Sequence, residues 1–181
     1  MSLLSYNRLV TLVEQGVITN IKPEQINAAS IDLTLGRYVM REMYVHESNR
    51  VVSLRERQRL PMTEENISEF GIVLNPGDFI LAQTQQIFNL PNNISAEYKL
   101  KSSMARIGLE HLNAGWCDAG WHGSALTLEL KNMTQEHCIH LLEGDAIGQI
   151  VFFEHEPVPA DRSYAARGRY NNDTTVTGVK P

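Results

Sequence analysis

The chain has 181 residues, of which 43% are hydrophobic and 20% charged, with a formal net charge of -5. That length supports one domain with a real core, and an acidic balance argues against a general nucleic-acid binder, which needs a basic field. No apolar run reaches the roughly 20 residues of a membrane span, no signal-peptide pattern opens the chain, and Cys117 and Cys138 without a secretion signal fit a reduced, cytoplasmic protein.

Ser5 to Gln15 carries an apolar stripe of Leu9, Val10, Leu12 and Val13, with Gly16 at the C-cap position, which predicts a packing helix. Asn20 to Asn27 is a polar connection holding Pro23. Ser30 to Leu35 sets Ile31, Leu33 and Leu35 against Asp32 and Thr34, the pattern of a half-buried strand ended by Gly36. Asp32 is there either a solvent-facing residue or a buried acceptor bracing a loop. Tyr38 to Leu54 holds two strand-like runs around a polar turn at Glu47-Ser48-Asn49-Arg50. Arg55 to Glu69 is charged and poor in apolar residues, which predicts a surface loop or excursion. Gly71 to Leu74 is apolar, Asn75-Pro76-Gly77-Asp78 has type II turn chemistry, and Phe79 to Gln85 resumes as a strand before a turn at Leu90-Pro91-Asn92-Asn93. Lys131 to Gln135 turns the chain again. Cys138 to Leu141 and Ala146 to Phe153 form two more strands around Glu143-Gly144-Asp145. Many short strands and one good helix predict an all-β sandwich or barrel-like roll. From Pro157 the composition becomes polar, and Ala160 to Pro181 has too little apolar area to fold alone. By composition this tail is either a frayed terminus or a lid that orders over a bound anion.

The polar chemistry converges on Lys99 to Glu129. Lys99, Lys101 and Arg106 with Ser102 and Ser103 make a short run suited to an oxyanion, since Arg donates bidentately and hydroxyls fill the gaps. A Gly-rich loop, Asn113 to Gly123, then carries one acid, Asp118. In the strand-like run Leu126 to Lys131, strict alternation puts Glu129 with Thr127 and Lys131, opposite Leu128 and Leu130. On a cleft wall Glu129 is a candidate proton carrier. The zinc-deaminase pattern of His-x-Glu followed by Pro-Cys-x-x-Cys does not occur, so no protein-bound zinc is expected. Cys117 has no motif supporting an activating base and reads as a structural thiol.

Several segments together resemble the dCTP deaminase family of the trimeric dUTPase superfamily. They are Ile26 to Gly36, Leu74 to Ala82, Ser102 to Leu109, Ala114 to Asp118, the strand ending at Glu129, Asp145 to Phe152 and Gly168 to Asn171. The resemblance spans nearly the whole chain. It implies a mainly β, dUTPase-like distorted barrel or roll with an N-terminal helix over residues 1–159, and a C-terminal lid over the nucleotide at 160–181. It implies a homotrimer with the pocket between subunits. It implies zinc-independent hydrolysis of dCTP to dUTP and ammonia, with Mg²⁺ carried on the triphosphate by phosphate oxygens and water.

By the same resemblance, Glu129 moves the protons, Arg106 stabilises the developing hydroxide, and Ser102 with the Ala114 carbonyl orients the water. Lys101, Ser103, Asp118, Thr127, Leu128, Tyr164, Arg169, Tyr170 and Asp173 surround the substrate, with Asp118 against the deoxyribose 3'-hydroxyl. The bland alternatives are a buried Arg106–Glu129 ion pair and a turn role for Asp118. This chain departs from the family pattern at several places. Ala119 replaces Pro, one extra residue lies between Gly123 and Glu129, Asn113 replaces Thr and Leu100 replaces Gly. Asp173 stands where Gln is usual, and an acid there repels a triphosphate unless Mg²⁺ intervenes. The Ala-Gly-aromatic wording before Asp118 resembles bifunctional deaminase-dUTPases. The rival activities are therefore dCTP to dUMP and diphosphate, or plain dUTP hydrolysis. A catalytically silent nucleotide-binding regulator is the rival of another class.

Overall fold

The computed structural model describes residues 2–43, 51–53 and 55–180. The strands are β1 (Ser2–Leu3), β2 (Ile31–Thr34), β3 (Tyr38–Glu42), β4 (Met62–Asn66), β5 (Ile72–Leu74), β6 (Phe79–Asn89), β7 (Ile94–Leu100), β8 (Leu109–Glu110), β9 (Trp116–Cys117), β10 (His122–Asn132), β11 (Ile139–Leu141) and β12 (Ala146–Glu154). The helices are α1 (Tyr6–Glu14), α2 (Ser102–Arg106) and α3 (Tyr164–Arg167). Strand pairing gives one five-stranded sheet ordered β1-β12-β7-β9 with β2 also on β12, a second ordered β4-β3-β6-β10-β8, and a β5-β11 ribbon. The buried side chains of both large sheets form one core, including Ile31, Leu33, Ile150 and Phe152 from the first and Ile80, Ala82, Leu128 and Leu130 from the second. The mainly β expectation is met, as two five-stranded sheets with no pairing that closes them among the described residues.

Helix α1 forms where the apolar stripe predicts it and buries Leu9 and Leu12. Gly16 follows with φ +73°, the left-handed backbone that ends helices at low cost for glycine. No helix among the described residues is long and apolar enough to cross a membrane.

Two segments differ from the sequence expectation, and one expected turn is not tested. The Glu47–Arg50 turn lies outside the described residues. The stretch Arg55 to Glu69 is not wholly a loop: β4 pairs along β3, Tyr38 opposite Asn66 to Glu42 opposite Met62. β4 is an edge strand with mostly exposed side chains, so it needs no apolar alternation. Strand β7 was unforeseen although Ile94, Ala96, Tyr98 and Leu100 alternate with Ser95, Glu97 and Lys99, because its basic end reads with the following Lys101 to Arg106 run as an anion-binding motif.

The longest pairing, β6 with β10, places the functional face. Thr127, Leu128, Glu129, Leu130 and Lys131 sit opposite Gln83, Ala82, Leu81, Ile80 and Phe79 in unbroken register. Irregularities fall upstream, between His122 and Ser124 and between Ala125 and Thr127. The first accommodates an extra residue at Gly123, whose φ of +66° suits the bulge. Backbone groups left open nearby are met by buried side chains. Thr84 Oγ1 accepts from the Leu126 N–H at 3.0 Å, and Gln86 Oε1 accepts from the Thr34 N–H at 3.0 Å.

On the first sheet, the Tyr98 ring of β7 lies over Gly148 of the neighbouring β12. A Cβ at position 148 would overlap the phenol ring itself. Gly148→Ala should therefore destabilise the fold by about 1–3 kcal/mol in urea unfolding. Adding Tyr98→Leu should recover part of that loss, because the ring is what the new methyl meets.

Candidate active site

A cavity of about 620 Å³ opens on the face of β6 and β10 that carries Glu129, a size that suits a nucleotide. Its floor is Leu81, Phe79, Thr127 and Glu129, with Met40 from β3. Ala114, Trp116, Cys117 and Asp118 of the Gly-rich loop form one wall. Tail residues Tyr164, Tyr170, Asp173 and Thr177 to Val179 form another, and Arg57 to Leu60 with Met62 form a third.

Register explains why Glu129 is here. Leu128 and Leu130 are 2% and 0% exposed and lock the opposite face into the core, so a one-residue slip would bury the carboxylate and expose two leucines. The alternation expected for Glu129, Thr127 and Lys131 is observed. Glu129 is half-buried and has no side-chain hydrogen bond or ion pair among the described residues. Burial raises its pKa above the usual carboxylate value, and its own backbone N–H pulls back part of the way. The carboxyl is thus biased toward holding a proton, as a general acid must.

Asp118 is exposed at the cavity mouth and accepts from Trp116 Nε1 at 2.9 Å through Oδ1. Its second oxygen has no partner among the described residues. Cys117 is buried, and burial, with the Asp118 charge adding to it, pushes its thiol up to about 12. That leaves no thiolate near neutrality and supports a structural role. Both cysteines are free thiols.

The tail is ordered on the same strand. Ala125 N donates to Asp173 O at 2.8 Å, Asp173 N to Ser124 Oγ at 3.1 Å, and Trp121 Nε1 to Tyr170 O at 2.7 Å. Val176 is 5% exposed and seats the tail in an apolar contact. Asp173 is not a bare charge. Both of its oxygens accept from Lys180 Nζ at 2.6 Å, and that ammonium also donates to Arg169 O at 3.0 Å. The repulsion expected at position 173 is offset within the chain by this pair, which the sequence does not announce.

Of the candidate residues, Ala114, Asp118, Thr127, Glu129, Tyr164, Tyr170 and Asp173 line the cavity. Leu128 gives its side chain to the core. Lys101, Ser102, Ser103, Arg106 and Arg169 are not on the cavity wall of the same chain. Ser102, Ser103, Arg106 and Arg169 are exposed, and Arg106 makes no ion pair among the described residues, so the bland Arg106–Glu129 pair is not formed within one chain. Lys101 is half-buried and bonds Asp32 Oδ2 at 2.6 Å. Asp32 also accepts from Asn27 Nδ2 at 2.8 Å, which resolves it as an acceptor bracing a loop. Sequence reasoning missed Arg57, Arg59, Leu60 and Met62; the alternating arginines at 55, 57 and 59 were the available signal.

Comparison with known proteins matches residues 3–155 to the family model described as dCTP deaminase-like. A protein of Methanospirillum hungatei named "dCTP deaminase, dUMP-forming" is 34% identical over 91% of this chain and 88% of its own. One of the same name from Thermobifida fusca is 34% identical over 91% and 83%. The crystal structure of 2'-deoxycytidine 5'-triphosphate deaminase from Agrobacterium tumefaciens shares the fold with a TM-score of 0.65 at 23% identity, over 83% of this chain and 47% of that one. This chain thus spans about half of that protein's length. The chain belongs to the dCTP deaminase-like family. The names of its relatives favour the dUMP-forming alternative over the dUTP-forming activity that the sequence motifs put first.

The raised Glu129 pKa has a sign that can be tested. From the ordinary value of 4.5 up to the raised one, the unfolded chain has lost a proton the folded chain keeps, so stability falls as pH rises and stays lowered above that range. Glu129→Gln removes the penalty. Its melting temperature should equal or exceed the parent's at neutral pH, and the gap should close below pH 4.5. A variant clearly less stable at neutral pH would mean the carboxylate is stabilised where it lies.

Proposed function

We propose that this protein converts dCTP and two waters to dUMP, ammonia and diphosphate. The reading is carried by one observation: Glu129, half-buried and unpaired among the described residues, shares a nucleotide-sized cavity with Asp118. The name shared by its relatives supports the same reading.

Glu129 takes a proton from water attacking C4 of the cytosine and delivers it to N3, then takes the second proton from the resulting C4 hydroxyl and gives it to the amino group, which leaves as ammonia while the C4 carbonyl forms. Its raised pKa favours the two donations. Asp118 holds the deoxyribose 3'-hydroxyl and directs the second water toward the α-phosphorus; Trp116 fixes its carboxylate for that task. Tyr164 and Tyr170 cover the sugar from the tail.

Arg106 and Ser102 lie on α2, which the chain presents outward. Our reading has them complete the site of a neighbouring copy in a homotrimer, where the guanidinium stabilises the forming hydroxide. Mg²⁺ travels with the triphosphate on phosphate oxygens and water. Asp173 gives both oxygens to Lys180 and Asp118 gives one to Trp116, so these acids are suited at most to its water shell.

Product analysis tests the activity. Incubation with dCTP should release ammonia and diphosphate in equal amounts with little free dUTP; ammonia with accumulating dUTP would restore the simpler deaminase. Glu129→Gln should lower kcat for ammonia release by about 10²–10⁴-fold while nucleotide affinity changes little.

Subunit sharing makes a separate prediction. Glu129→Gln and Arg106→Ala should each be inactive alone, yet refolding them together should restore part of the activity, because mixed trimers contain some intact sites. A mixture as dead as its components would place both residues in one subunit's site.

A further inference from the structure

The wall built by residues 57–60 carries charge that the scheme above leaves unused. Asp118, Glu129 and Asp173 are the acids on the described cavity wall, and Arg57 and Arg59 are its cations. A triphosphate brings several negative charges to this place. Lys180 already serves Asp173, Lys101 serves Asp32, and the exposed Arg169 is not on the cavity wall.

The two arginines are held where an anion could use them. Arg59 Nε donates to Val179 O at 2.8 Å, and Val179 adjoins Lys180, the partner of Asp173. Arg59 therefore stands at the tail side of the cavity, the side expected to hold phosphates. Its terminal nitrogens have no acceptor among the described residues, so a bidentate face is left over. Arg57 has a left-handed backbone, φ +49°, an uncommon state for a non-glycine residue. The turn that fixes it is closed by Ser53 N to Gln58 Oε1 at 2.9 Å and Glu56 N to Ser53 Oγ at 3.3 Å. Both side chains remain exposed and can reach a ligand. Guanidinium groups match phosphate oxygens in shape and charge.

We propose that Arg57 and Arg59 form a same-chain clamp for the outer phosphates of the nucleotide, with Arg59 also joining the excursion to the tail. This inference rests on the nucleotide reading above and adds specificity for phosphate number.

The test compares dCTP, dCMP and deoxycytidine on the parent, Arg57→Ala, Arg59→Ala and Arg59→Lys, by ammonia release and by calorimetric binding. Melting temperatures check that the variants fold. Each alanine variant should raise KM and Kd for dCTP by about 10- to 100-fold, the worth of a charge-assisted hydrogen-bond pair. Deoxycytidine binding should be unchanged, and Arg59→Lys should recover only part of the loss, since a lysine lacks the planar fork. Unchanged dCTP affinity, or equal losses for all three ligands, would overturn the clamp. Calorimetry separates the clamp from the activity: a parent that binds dCTP but releases no ammonia refutes the deaminase and leaves the clamp measurable.

Discussion

The pairing of β6 with β10 is the constraint on which the rest depends. Five consecutive cross-strand partners hold Thr127 to Lys131 in register, and two fully buried leucines forbid a slip. The place of Glu129 on the cavity wall is set by that register. The carboxylate needs no partner to be held at the cavity, because its strand neighbours hold it there. The register irregularities of β10 lie upstream, between His122 and Ser124 and between Ala125 and Thr127, so they do not rotate Glu129 off the wall.

Around this fixed acid the chain arranges movable or externally supplied charge. The Gly-rich loop brings Asp118, the tail brings Asp173 already neutralised by Lys180, and the excursion brings two arginines. The most basic motif in the sequence faces outward instead. An enzyme that keeps an unpaired carboxylate in a partly dry cavity gains proton affinity where it is needed. A permanent cation from the same chain would cancel that gain by stabilising the ionised form. Under the proposal that Arg106 comes from a second copy, that effect would wait until assembly.

Much of the architecture was legible because it rests on repeating apolar signals. Helix α1, β2, β10 and β12 each carry a stripe or alternation that survives in the fold. Strand β4 was not legible, since an edge strand can be polar on both faces, whereas β7 alternates from Ile94 to Leu100 and is masked because its lysines read as an anion site. The Glu129 face was readable from alternation alone. The Asp173–Lys180 pair and the Arg59–Val179 contact were not, because both join a patternless tail to other points by single side chains. Asp32 could be narrowed to two roles from sequence, and only its neighbours in space selected between them.

The tail shows how little energy governs access to such a cavity. Its polar contacts exchange readily with water, and Val176 is its one deeply buried apolar residue among the described ones. Seating a single valine yields about 1.5–3 kcal/mol, a ratio of about 10 to 150 between closed and open. That ratio would let the tail lift and reseat without any part of the β framework having to yield. A larger side chain in the same socket would hold the tail closed for longer.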